Sequence, residues 1–140
     1  MKGYNVIIIF NKDLDKLLLC ERRKNPYGGM INFVGGKIEK GESNVDAAYR
    51  ELYEETSITK DDVKLVHLMD FVYHLDETYV EVWVGKLNKD LEVKGEENKL
   101  FWSTLDHDFF DLKIYAGEGN MGHMLEHVKL NKDKIFKNES

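Results

Sequence analysis

Apolar and polar positions alternate along this chain in two distinct rhythms. From Tyr4 to Phe10, "YNVIIIF", the chain is apolar at nearly every position, which predicts a buried strand. "KLLLCER", Lys16 to Arg22, predicts its partner, and "NKDLD" between them has turn chemistry. "RKNPYGGM", with the lone proline Pro26, reads as a surface loop, and "INFV" as a short extended piece entering Gly35-Gly36. Val63 to Leu75 and Thr78 to Leu87 flank a turn at Asp76-Glu77. In the second segment Val80, Val82 and Val84 alternate with Glu81, Trp83 and Gly85, a strand with two different faces. An irregular stretch follows Phe101-Trp102. Asn120 to Leu130 then predicts a terminal helix with Met121, Met124, Leu125 and Val128 on one side.

The helical rhythm is sharpest between these strands, in "GGKIEKGESNVDAAYRELYEETSI". Ser43 or Asn44 can cap a helix here, and Asp46 in its first turn complements the dipole. Val45, Ala48, Tyr49 and Leu52 share a stripe that predicts the buried face, where Leu52 alone contributes about 1.5–3 kcal/mol. Glu51, Glu54 and Glu55, spaced i, i+3, i+4, share a second stripe. Ala47 falls on the acidic side, where its small side chain is expected to leave room for a ligand. Strands, a middle helix and a terminal helix together predict an α/β (α+β) domain with a mixed sheet layered between helices.

An acidic helix face is most often simply solvated. Here no lysine stands three or four residues from any of the three glutamates, like charges at that spacing repel, and a glycine pair enters just before the helix. Clustered carboxylate oxygens suit Mg²⁺ or Mn²⁺, whose charge offsets the repulsion.

Composition narrows the class. The 140 residues are enough for one domain with a real core, and 42% hydrophobic with 33% charged residues is ordinary for a globular protein. The single cysteine, Cys20, excludes an intrachain disulfide and fits a reducing, cytoplasmic setting. The apolar run at the start is too short for a membrane span or a signal segment. A net charge of −6 argues against nonspecific duplex binding, but not against a small anionic substrate, because a bound cation reverses the local field.

The stretch containing Gly36, Glu42, Arg50, Glu51, Leu52, Glu54, Glu55, Ser57 and Ile58 resembles the Nudix box: a glycine, five residues, a glutamate, seven residues, then Arg-Glu-apolar-any-Glu-Glu-any-Gly-apolar. Every fixed position agrees except Ser57, where the family has glycine. The order of strands outside the box is similar too, so the resemblance extends over most of the chain and implies a single Nudix domain over residues 1–140.

The resemblance implies a Mg²⁺-dependent (or Mn²⁺-dependent) phosphohydrolase acting on a nucleoside diphosphate linked to another group. By position, Glu51, Glu54 and Glu55 resemble the metal ligands, joined by the backbone carbonyl of Gly35. Glu42 and Arg50 resemble a structural ion pair between loop and helix. Lys37, and with less support Arg23, are expected to approach the phosphates. Glu51 is one candidate general base. Glu96 is the other, because MutT-like members carry a loop glutamate six residues before a Trp. Glu97 stands next to it, and either reads equally as a solvated loop acid. Serine for glycine at position 57 costs roughly 1 kcal/mol if the helix ends there in a left-handed conformation.

"INFVGGK" resembles the Asn-x-x-Gly-Gly-Lys entry of the branch that hydrolyses oxidised purine nucleoside triphosphates, such as 8-oxo-dGTP, to monophosphate and pyrophosphate. Asn32 then offers a donor and an acceptor to a purine edge, or is a plain strand-end asparagine. Phe33, Tyr73, Trp83, Phe109, Phe110 and Tyr115 have rings able to stack on a base, but read first as core. Nucleotide sugars, dinucleoside polyphosphates, capped RNA ends and a non-catalytic ligand-binding module stay open. The expected partner is a small nucleotide, without duplex nucleic acid or membrane, and the expected state is a monomer or homodimer.

Overall fold

The structure is a computed structural model that describes residues 1–24, 27–95 and 97–136. Six strands, β1 (Lys2–Phe10), β2 (Lys16–Glu21), β3 (Ile31–Asn32), β4 (Val66–Tyr73), β5 (Thr78–Lys86) and β6 (Lys99–Thr104), form one mixed sheet. The strand order is β3-β2-β1-β5-β4, with β6 paired to β2. β1 and β5 run parallel in unbroken register from Lys2 opposite Thr78 to Phe10 opposite Lys86, and the other pairs are antiparallel.

Burial explains the apolar rhythm. Ile7 and Ile9 of β1 pack with Leu18, Val34, Ala48 and Leu52, beneath helix α1 (Asn44–Thr56). Ile8 and Phe10 pack on the opposite side with Val82, Met121, Met124 and Ile135, beneath α2 (Asn120–Leu130) and α3 (Lys132–Phe136). The sheet is therefore layered between helices, and its central strands are apolar because neither face meets water. β5 alternates between the two cores, with Val82 and Val84 on one side and Trp83 on the other.

Two elements exceed the sequence reading. β6 spans Phe101-Trp102, for which the sequence predicts no element, and runs into the start of the stretch expected to be irregular after them; its residues are mostly half-buried, which blurs the alternation. α3 extends the terminal helical region after Asn131. The segment Val63–Leu75 is strand only from Val66 to Tyr73, with Val63 making an isolated bridge to Leu87.

Helix α1 also differs in how it lies. Ser43 is the N-cap, its Oγ accepting from the Asp46 N–H at 3.3 Å. Val45 is 40% exposed, because it sits in the first turn beyond the edge of the core. Ala47 is fully buried, so its smallness makes room for protein and not for a ligand. The buried arc is wider than the aliphatic stripe and reaches Glu51 and Glu55, which are half-buried, while Glu54 faces solvent.

Among the aromatic residues, Phe33, Trp83, Phe109 and Tyr115 are core, whereas Tyr73 and Phe110 are exposed. Among the described residues no helix is long and apolar enough to cross a membrane.

Candidate active site

Residues 34–38 run antiparallel along β1. Ile7 N–H donates to the Val34 carbonyl and Asn5 N–H to the Gly36 carbonyl, both at 2.8 Å, and Ile38 N–H donates to the Gly3 carbonyl at 2.9 Å. This clamp brings the glycine pair against α1. Gly35 N–H donates to Glu55 Oε2 at 3.1 Å, and Gly36 N–H to Asn5 Oδ1 at 2.9 Å. Gly35 has φ 147°, and a Cβ there would lie 2.1 Å from the Asn5 carbonyl oxygen. A Cβ on Gly36 would lie 2.3 Å from the Glu51 carboxylate. Both positions need glycine, one for backbone conformation and approach, the other so that a carboxylate can lie against the chain.

Arg50 organises the acids. Its Nε donates to both Glu42 oxygens at 3.2 and 3.0 Å, and its Nη2 to Glu42 Oε1 at 2.7 Å and to the Lys37 carbonyl at 2.9 Å. Its Nη1 reaches Glu51 Oε1 at 3.0 Å and both Glu54 oxygens at 3.2 Å. The planar fork thus joins the 37–42 loop to the helix while neutralising part of the acidic stripe. Arg50 stands four residues before Glu54, so the lack of lysine partners did not mean the lack of a cation. The guanidinium and the Glu39 N–H hold the Glu42 carboxyl below the ordinary range.

Glu51, Glu54 and Glu55 line a cavity of about 240 Å³ together with Glu97 and Asn98. Burial pushes the Glu55 carboxyl up to about 7, against the opposing hydrogen bond from Gly35, with Glu51 and Glu97 adding repulsion. Burial also raises Glu51, against the pull of Arg50. Several carboxylates sharing one pocket, two of them disfavoured as anions, form a hard-oxygen donor set that fits Mg²⁺ or Mn²⁺. A cation held there would release the proton that Glu55 retains near neutrality.

The other sequence candidates lie at varying distance from this cavity. Arg23 is exposed; its backbone N–H donates to Asn98 Oδ1 at 3.2 Å, tying the end of β2 to the cavity wall. Lys37 is exposed, and its carbonyl serves Arg50. Neither lysine nor arginine side chain lines the acidic cavity. Glu96 lies outside the described residues. Asn32 lines a different cavity, about 470 Å³, with Tyr4, Phe71, Tyr73, Glu118 and Asn120 among its walls. Its Oδ1 accepts from the Phe33 N–H at 2.8 Å, so part of the amide is already engaged locally. In the same walls the Tyr27 hydroxyl donates to Glu118 at 2.7 Å, and Asn120 Nδ2 donates to the Tyr73 hydroxyl at 2.9 Å.

Asn98 and Asn5 escaped sequence reasoning. Asn98 reaches the site because β6 pairs with β2, setting Lys99 opposite Glu21. Asn5 sits inside an apolar strand, and a polar residue within such a run is the signal that marks it. Ser57 ends α1 with φ 70°, its N–H donating to the Tyr53 carbonyl at 2.8 Å and its Oγ to the Lys94 carbonyl at 3.3 Å.

The family model described as the NUDIX domain matches residues 1–121. An ADP-ribose pyrophosphatase of Methanocaldococcus jannaschii is 33% identical over 104 residues, 74% of this chain and 59% of that protein. An RNA pyrophosphohydrolase of Pelagibacter ubique is 36% identical over 98 residues, 68% of this chain and 56% of that protein. The chain thus spans less than three fifths of the length of either relative. Among solved structures, a MutT from work on Aliivibrio salmonicida and Vibrio cholerae superposes with a TM-score of 0.69 at 26% identity, covering 92% of this chain and 98% of that one.

Proposed function

Because the chain belongs to the NUDIX family, we propose that it is a divalent-metal-dependent pyrophosphohydrolase cleaving a nucleoside diphosphate-X anhydride, with a purine nucleoside triphosphate, oxidised guanine included, as first substrate. The observation that carries this reading is the convergence of Glu51, Glu54 and Glu55 in one polar cavity beside a glycine turn that admits no side chain. In this reading residues 1–140 act as one Nudix domain.

Glu51, Glu54 and Glu55, with the carbonyl of Gly35, would hold the cation. Bound Mg²⁺ or Mn²⁺ supplies neutralisation of phosphate charge and a water of lowered pKa. The Glu42–Arg50 pair keeps the loop and helix at the spacing the pyrophosphate needs. Lys37 and Arg23 have the reach of exposed cations toward phosphate oxygens. Glu51 or a loop acid, Glu97 or Glu96, takes the proton from the attacking water. Asn32, on the wall of the 470 Å³ cavity, reads a purine edge with the amide protons its Oδ1 bond leaves free.

A second reading, a nucleoside diphosphate sugar, is favoured by two observations. The cavity holding Asn32 is roomy and lined by several rings, and a relative 33% identical over 104 aligned residues carries the name ADP-ribose pyrophosphatase.

The test is product release from dGTP, 8-oxo-dGTP, ADP-ribose and a dinucleoside polyphosphate with Mg²⁺. Glu54→Gln is expected to cut turnover by orders of magnitude on every substrate without unfolding the protein. Full activity in excess chelator, or in Glu54→Gln, refutes the metal chemistry. Asn32→Ala is expected to lower kcat/KM about ten- to a hundredfold on the purine triphosphates alone. Hydrolysis confined to ADP-ribose would select the second reading.

A further inference from the structure

The end of α1 remote from the acidic cavity faces a second group of potential ligands on strands β4 and β5. Pairing between these strands slips between His67 and Met69: His67 lies opposite Trp83, but Met69 lies opposite Val82 and Asp70 opposite Glu81. The extra residue turns His67 and Asp70, three apart, to the same face of the sheet. His67 Nε2 lies 2.6 Å from Asp70 Oδ1, and one ligand atom from each of His67, Asp70 and Glu81 falls within 4.8 Å of the others.

Glu81 is only 4% exposed. Its Oε2 accepts from the side-chain amide of Asn44, at the start of α1, and its Oε1 from the Trp83 indole N–H at 3.2 Å. Both donors are neutral, and no ion pair to Glu81 occurs among the described residues, so a buried carboxylate stands oriented but without a cation. His67 stacks on Trp83 with ring centroids 4.6 Å apart, which fixes the imidazole plane. The side chains of His67 and Asp70 are 41% and 49% exposed, so an ion reaches the group from solvent.

An independent observation comes from β1. Asn5 is the register partner of Glu81 and is 3% exposed, on the sheet face that carries Glu81. Its Oδ1 is taken by the Gly36 N–H, and its Nδ2 has no acceptor. The sheet face around Glu81 thus holds a second buried polar group whose hydrogen-bonding capacity the protein leaves unmet.

We propose that His67 Nε2, Asp70 and Glu81 form a site for a transition-metal dication of the Zn²⁺ class, with water completing the shell. Three protein ligands mixing imidazole and carboxylate suit Zn²⁺, whereas Mg²⁺ prefers oxygen alone. The site is distinct from the acidic cavity and does not depend on the proposed hydrolysis. Through Asn44 it would tie the start of α1 to the sheet.

The test titrates the untagged full chain with Zn²⁺ by calorimetry in excess Mg²⁺, which occupies the hard-oxygen cavity. Quenching of tryptophan fluorescence by Co²⁺ provides a second readout, since Trp83 lies against His67. One Zn²⁺ per chain is expected, weakened at least about tenfold in His67→Ala and in Asp70→Asn. His127→Ala, which breaks the His123–His127 pair on α2, is expected to leave binding unchanged. Absence of Zn²⁺ binding in Mg²⁺, unaltered binding in His67→Ala and Asp70→Asn, or loss that follows His127→Ala instead overturns the proposal.

Discussion

Glu55→Gln separates what the acidic cavity costs the fold from what it contributes to chemistry. The Glu55 carboxyl is raised by burial from 4.5 to about 7. Below pH 4.5 it is protonated in the folded and unfolded chains alike, and the fold bears no penalty. As pH rises from 4.5 to about 7 the unfolded chain releases the proton while the folded chain keeps it, so stability falls through that window and is lowest above it. The shift corresponds to ~3 kcal/mol in the metal-free protein, which is a large part of a typical total stability. Glutamine has nearly the same shape, still accepts the Gly35 N–H, and carries no charge. Urea unfolding in chelator is therefore expected to show Glu55→Gln more stable than wild type at pH 8, by up to ~3 kcal/mol, and equal to it at pH 4. Added Mg²⁺ should stabilise the wild type more than the variant, because Glu55→Gln removes one of the three carboxylates proposed to hold the cation. A stability difference of the same size at both pH values, or a variant weaker than wild type at pH 8, would refute the reasoning.

Gly36→Ala places a Cβ 2.3 Å from the Glu51 carboxylate, so Mg²⁺-dependent activity should collapse while far-UV circular dichroism stays native; an active Ala variant contradicts the role given to this approach. Ser57→Gly relieves a left-handed serine at a loss of one exposed 3.3 Å hydrogen bond, and Ser57→Ala loses the bond without the relief, so melting temperatures should rank Gly above Ser above Ala. Arg50→Lys replaces a fork serving Glu42, Glu51 and Glu54 with a single ammonium, and denaturant unfolding should report a loss on the order of 1–3 kcal/mol.

What the sequence determined by itself was local. The unbroken apolar run of β1 requires a strand covered on both faces, and the structure covers it with α1 on one side and α2 and α3 on the other. The Ser43 cap and the spacing of Glu51, Glu54 and Glu55 are properties of a few neighbouring residues on one helix, so they were legible without knowing what packs against it. Tertiary structure decided everything that depends on which surface meets which. A helical wheel does not say how far the buried arc extends, and only the packing of α1 against the rest of the fold buries Ala47 and, by burial, pushes Glu55 up to about 7 against the hydrogen bond from Gly35. β6 was hidden because half-buried residues carry no strong alternation, and with it went the placement of Asn98 in the acidic cavity. His67 and Asp70 lie on β4 and Glu81 on β5, and a single slipped residue in the pairing brings them to one face. Asn5 meets both Gly36 and Glu81 only because the 34–38 segment and the parallel β5 flank β1. Pairing register is a long-range property, set by the packing of both sheet faces at once, and no local window of the chain contains it.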